Sequence, residues 1–159
     1  MRGSYTKARG VALLVAAVGG LGPVDAGAVC QIRSATAPNF GVYTPTATLP
    51  RDATGAIVYR CDGQPQFQPV TIDLSTGSGS DFLNRRLQGP SGNRLNYNLY
   101  LDATRLLVWG NGTLGTSRYG PVFPVNAVEV TLTLYGRIPA GQAAVAGAYS
   151  DTVVMTLTY

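Results

Sequence analysis

Histidine is absent from this chain, and lysine occurs only at position 7. Without an imidazole there is no Ser-His-Asp triad, no side chain that titrates near neutral pH, and none of the commonest metal ligand. Without lysine beyond Lys7 there is no Schiff-base chemistry in the body of the chain. Charge is sparse, with Asp, Glu, Lys and Arg making up 13% of residues. Only Arg85 and Arg86 are adjacent cations, so no basic stripe with interleaved aromatics marks a nucleic-acid surface. No apolar run reaches the roughly 20 residues that a membrane-spanning helix needs. Cysteine is limited to Cys30 and Cys61. If these two are oxidised, a thiolate nucleophile and a zinc–thiolate site are excluded as well. Seven carboxylates lie beyond residue 28: Asp52, Asp62, Asp73, Asp81, Asp102, Glu129 and Asp151. A carboxylate pair can hydrolyse a glycoside. Their placement, mostly at strand ends or on polar faces, instead reads as turn capping and solvation. The chain is therefore expected not to be an enzyme, and no cofactor or metal is expected.

What is present begins with a leader. Arg2, Lys7 and Arg9 form a positive start, Val11 to Ala17 form a short apolar run, and Gly19, Gly20, Gly22 and Pro23 break it. Ala26-Gly27-Ala28 is a small-x-small cleavage pattern, so residues 1–28 read as a secretory signal peptide cut after Ala28, with residues 29–159 as one domain. Three of the twelve basic residues and one of the eight acids fall in the leader, which leaves nine arginines against seven carboxylates, a net charge of +2. Export implies an oxidising compartment, where Cys30 and Cys61 can pair in only one way. The loop they would close, about 30 residues, is worth roughly 3–4 kcal/mol in the chain-entropy model. Two free buried thiols are the alternative.

Beyond the leader every strong pattern has period two. Ile57, Tyr59 and Cys61 alternate with polar or smaller neighbours, as do Val70, Ile72 and Leu74. The same holds for Leu95, Tyr97, Leu99 and Leu101, for Val128, Val130, Leu132 and Leu134, and for Val153, Met155, Leu157 and Tyr159. Each reads as a half-buried antiparallel strand. Turn formers separate them, such as Gly89-Pro90-Ser91-Gly92-Asn93 and Pro139-Ala140-Gly141. Several short strands at this spacing predict an immunoglobulin-type sandwich. The last strand is expected to run to Tyr159, leaving one edge open to pairing with another chain.

Two motifs and one residue class need weighing. Gly110, Gly112 and Gly115 fit a dinucleotide fingerprint, but the residues that follow cannot build the helix that would take the pyrophosphate. Asn111-Gly112-Thr113 is a glycosylation sequon, and Asn-Gly reads better as a tight turn. Trp109, Tyr97, Tyr100, Tyr135 and Tyr149 could line a sugar-binding patch, although aromatics in β domains are more often core or cross-strand pairs.

An ordered set of segments resembles the spore coat protein U domain, the subunit domain of archaic chaperone–usher pili. It runs through Cys30, Asn39-Phe40-Gly41-Val42-Tyr43, Gly55 to Cys61, Asp73-Leu74-Ser75-Thr76-Gly77, Arg85-Arg86-Leu87 and Leu95 to Asp102. Trp109-Gly110-Asn111-Gly112-Thr113 is similar to the family's Trp-Gly-Asp-Gly-Thr, and Tyr135 to Gln142 and Gly147 to Val153 complete the series. The resemblance implies an all-β, incomplete immunoglobulin-like antiparallel sandwich that lacks its final strand. In such families a periplasmic chaperone lends a strand and a neighbouring fibre subunit later replaces it, after passage through an outer-membrane usher. Val153, Met155, Leu157 and Tyr159 would then help floor the donor-strand groove. With cleavage after Ala28 only Val29 precedes Cys30, so the chain is expected to accept a strand but not donate one, as a tip, terminal or coat component at the cell surface. The alternative is a self-contained secreted lectin-like adhesin, and a carboxylate hydrolase is a distant third.

Overall fold

The computed structural model describes residues 6–8, 12–16, 29–63 and 68–159. Arg2, Arg9 and the Ala26-Gly27-Ala28 cleavage pattern lie outside the described residues. Twelve strands are described. They are β1 (Thr6–Ala8), β2 (Ala12–Ala16), β3 (Val29–Thr36), β4 (Gly41–Tyr43), β5 (Arg51–Asp62) and β6 (Val70–Leu74). Then follow β7 (Arg85–Gln88), β8 (Arg94–Tyr100), β9 (Tyr119–Val122), β10 (Glu129–Ile138), β11 (Ala148–Tyr149) and β12 (Thr152–Thr158). A single 3-10 turn at Pro90–Gly92 is the only helical element among the described residues. No described helix is long and apolar enough to cross a membrane.

The strands pair into a five-stranded sheet in the order β3-β5-β10-β8-β7, a four-stranded sheet β2-β12-β6-β9 and a three-stranded group β11-β1-β4. The period-two pattern explains which face goes inward. In β6 the side chains of Val70, Ile72 and Leu74 are buried while Thr71 and Asp73 are only half covered. In β5, Ile57, Tyr59 and Cys61 are buried against them in the shared core. Burying a branched or aromatic side chain of this size contributes roughly 1.5–3 kcal/mol, so a one-residue slip in register would turn the whole set to solvent. β10 keeps its parity beyond Leu134 through Gly136 and Ile138. Gly136 is required there because an added Cβ would lie 2.7 Å from Cζ of Phe40, whose ring rests on that strand.

The long β5–β10 ladder runs in register from Arg51↔Ile138 to Arg60↔Glu129 and forms the spine of the larger sheet. Cys30 and Cys61 face each other across β3 and β5 and form a disulfide, with Cα atoms 4.0 Å apart. The final strand stops one residue short of the expected end. β12 closes at Thr158, opposite Thr71, and Tyr159 lies beyond it.

Candidate functional site: the edge of the last strand

β12 carries one uncharged residue after another, Thr-Val-Val-Met-Thr-Leu-Thr. Its alternation buries Val153 and Met155 completely, and Leu157 packs partly buried against the core. Tyr159 is 38% exposed and does not share that floor. Three of the four residues expected to line one groove are thus brought together. The fourth is not, because β12 closes at Thr158, still paired with Thr71, and Tyr159 lies beyond it.

One side of β12 is closed by β6 in antiparallel register, from Met155↔Leu74 to Thr158↔Thr71. The other side is closed by β2 in parallel register, from Thr152↔Ala12 to Thr156↔Ala16. Leu13 stands opposite Val153 and packs against the core cluster. Just upstream, β1 threads between two short strands. Lys7 and Ala8 pair parallel with Ala148 and Tyr149 of β11, and Thr6 to Ala8 pair antiparallel with Tyr43 to Gly41 of β4. Residues 6–8 and 12–16 thus sit along a single track that follows β11 and β12 in the same direction. This pairing was not legible in the leader, whose apolar run reads alike as an extended or a helical segment.

The junction between β11 and β12 is anchored by a buried carboxylate. Asp151 is only 3% exposed. Its oxygens accept from the Ser78 backbone N–H at 2.7 Å, the Tyr97 hydroxyl at 2.6 Å and the Thr152 N–H at 2.8 Å, and also from the Ser78 hydroxyl. Gly77 makes the approach possible. It holds φ +70°, and a Cβ there would collide with the Asp151 carboxylate. Burial, followed by the neighbouring Asp151 charge, pushes the Tyr97 hydroxyl far up, so it stays a donor. Ser75 completes the clamp, donating its N–H to Val154 O and accepting from Val154 N–H through Oγ, both at 2.9 Å.

Behind this clamp lies a fully buried arginine. Arg85 donates to Ser75 O at 3.0 and 2.7 Å, to Asn98 Oδ1 at 2.7 Å and to Trp109 O at 2.7 Å. Burial draws its guanidinium down to about 10, which leaves it charged at neutral pH. Trp109 in turn joins the two larger sheets. Its N–H reaches Leu99 O in β8 at 2.9 Å, and its indole Nε1 donates to Ile72 O in β6 at 2.8 Å. Gly110 O accepts from Leu74 N–H at 3.1 Å, and a Cβ on Gly110 would meet Thr116. Asn111 caps the turn that follows, accepting from the Thr113 N–H at 3.1 Å and hydroxyl at 2.6 Å. The Trp109-Gly110-Asn111-Gly112-Thr113 segment is therefore an inter-sheet staple with a tight turn, and its glycines hold no helix N-terminus.

One reading from sequence changes here. Asp151 does not cap an exposed turn but sits in the interior, a position foreshadowed by its two-residue spacing from buried Tyr149 and Val153. The burial of Arg85 was missed, and its parity with buried Leu87 was the available signal. Asn98 carried no signal, since it lies on the polar parity of β8 and is held inside by Arg85 and by the carbonyls of Phe82 and Leu83, to which its amide donates. Of the aromatics weighed as a sugar patch, Trp109, Tyr97 and Tyr149 belong to the core, while Tyr100 and Tyr135 stay half-buried.

Two facing sheets around one core, with a disulfide across two strands of the larger sheet, define the class of fold, an immunoglobulin-like sandwich. The chain belongs to the Spore Coat Protein U domain family, whose family model matches residues 24–156. It is 34% identical over 150 residues to Protein U of Myxococcus xanthus, spanning 85% of this chain and 80% of that protein. Its fold is similar to a chain in the crystal structure of the chaperone–tip adhesion subunit pre-assembly complex from the archaic chaperone–usher Csu pili of Acinetobacter baumannii. The TM-score is 0.54 at 15% identity, with 83% of this chain covered but only 40% of the other.

Proposed function

We propose that this protein is an exported structural subunit of a chaperone–usher surface fibre or spore coat, and that the β2-facing edge of β12 is where it accepts a donor strand. The observation that carries the reading is the parallel ladder along Thr152 to Thr156, made by a segment that lies upstream of the family-matched residues. An edge strand left unpaired exposes a row of N–H and C=O groups, and strand addition satisfies them while side chains fill alternate pockets. The pocket floor is Val153, Met155 and Leu157. Residues 1–28 act as the secretory signal, a periplasmic chaperone and an outer-membrane usher handle the chain in transit, and neighbouring subunits supply the lasting strand. With Val29 as first residue the chain has no donor of its own, which suits a tip or terminal position; N-terminal sequencing of the surface protein beginning upstream of residue 12 would overturn that placement.

The test is thermal unfolding of the exported protein, alone and with synthetic donor peptides from candidate neighbouring subunits. A large rise in midpoint with one peptide is expected. A high midpoint with no peptide effect would instead point to a self-closed, lectin-like module. That second reading has less support, because most of its aromatics are in the core.

A further inference from the structure

Asn111 is the only asparagine of the chain that is followed by glycine. Gly112 is exposed, with φ +79°, so no side chain stands over its backbone nitrogen. The Asn111 amide beside it is prepared as an electrophile. Its Oδ1 accepts from the Thr113 N–H at 3.1 Å and the Thr113 hydroxyl at 2.6 Å. Two donors on a carbonyl oxygen hold the negative charge that gathers there when a nucleophile adds to the carbon. The nitrogen is prepared as well. Arg118 Nη2 donates to Asn111 O at 2.8 Å, the carbonyl of the same peptide group that carries the Gly112 N–H. A Cβ on Gly112 would lie 3.4 Å from Arg118 Nε, so the guanidinium runs alongside that peptide group. It stays charged at any working pH, and a fixed cation favours the ionised form of its neighbour, here the nitrogen that has lost its proton.

We infer that Asn111 is a self-modification site, which the folded turn converts to a carboxylate by deamidation. The Gly112 nitrogen gives its proton to water and bonds to Asn111 Cγ. The Cγ–Nδ2 bond breaks, and Nδ2 takes a proton from water and leaves as ammonia. The succinimide so formed takes up one water and opens. Breaking its nitrogen bond at Cγ leaves an aspartate, and breaking the bond at the backbone carbonyl carbon leaves an isoaspartate. Water is the only co-reactant and nothing is oxidised. The aspartate product keeps the backbone and both Thr113 donors. It also sets a second carboxylate near Arg118, which already pairs with Asp73 at 2.8 Å. The neutral turn outside the Trp109 staple thus becomes an acidic one. None of this depends on β12 accepting a strand.

The experiment incubates the exported protein, folded and in parallel unfolded in urea, and follows the amide-to-acid mass change at Asn111 by peptide mapping. Asn111→Asp supplies the product standard. The folded chain is expected to convert at least as fast as the unfolded one, because the Thr113 donors and the Arg118 cation are in place only in the folded turn. Thr113→Val removes one donor and Arg118→Gln removes the cation. Both positions are exposed, so the fold should survive, and the unfolding midpoint of each variant checks that it does. Each substitution should slow conversion of the folded chain about fivefold, the worth of one exposed hydrogen bond, and leave the unfolded rate unchanged. A folded chain that keeps its Asn111 amide while the unfolded chain loses it would overturn the inference. So would variants that convert as fast as wild type when folded, since the turn would then do nothing that a bare Asn-Gly pair does not.

Discussion

Asp151 shows how much one buried side chain can hold. It gathers donors from Ser78, Tyr97 and Thr152 at the point where β11 passes into β12. Replacing it by asparagine keeps the shape but turns one acceptor into a donor facing other donors. Leaving buried partners unmatched costs about 3 kcal/mol, so Asp151→Asn should lower the urea midpoint by a corresponding amount, whereas Asp62→Asn on the surface should change it little. Equal effects would mean that the carboxylate is not an anchor. A second carboxyl makes a pH prediction. Asp102 is held down from 3.8 to about 2, first by the Thr104 hydroxyl and then by the backbone N–H groups of Leu107 and Leu106. A carboxyl depressed in the folded state stabilises fully above its unfolded value, and that contribution is lost as pH falls through the folded value. Stability should therefore decline as pH drops from about 4 towards about 2, and Asp102→Asn should flatten that part of the curve in denaturation measured across pH. At this scale the sequence showed which residues were acidic or basic but not which were interior. Parity with Tyr149 and Val153 marked Asp151 as inward, yet the prior that carboxylates stay on the surface outweighed it.

At the scale of the element, period two was a reliable guide wherever a strand was long enough to repeat it. β5 and β6 bury every residue that alternation assigned to them, and β8 buries Leu95, Tyr97 and Leu99, whereas β10 fully buries only Leu134 of its four, β12 buries Val153 and Met155, and Leu101, Val128 and Tyr159 fall outside their strands. It failed for β4 and β11, which have three and two residues and so never complete a repeat. It could not show β2 either, since pairing there depends on the open edge of β12 and not on any signal within Ala12–Ala16. The floor of that edge can be tested by contrast within one strand. Met155 is completely buried, while Thr152 faces solvent. Met155→Ala should cost roughly 2–5 kcal/mol through lost burial and the cavity left behind. Thr152→Ala should stay within about 0.5 kcal/mol. Chemical denaturation of the two variants side by side checks the alternation, and a Met155 effect no larger than that of Thr152 would mean that β12 presents its other face to the core.

For the whole molecule, the sandwich class and the family were legible from the order of short motifs, because each motif fills a structural post that tolerates little change: Trp109 between sheets, Gly77 under Asp151, Tyr149 against Gly89. On the proposed reading, the molecule's association behaviour turns on one edge. β12 has seven uncharged residues without proline, and if the leader is removed as proposed the backbone groups now paired with β2 would lose that partner. Such a strand is a template for the next chain, whether a proper donor or another copy in the wrong register. A charge on the outward parity should separate folding from this association. Val154 alternates with the buried Val153 and Met155 and is itself only half-buried. Val154→Lys places an ammonium along the strand without entering the core, which is how natural edges are kept from pairing. The processed variant should scatter less light on standing than the processed wild type, with an unfolding midpoint close to it, and should take up a donor peptide more weakly. If Val154→Lys aggregates as readily as wild type while remaining folded, the molecules must be joining through a surface other than β12, and the edge would no longer account for how this protein assembles.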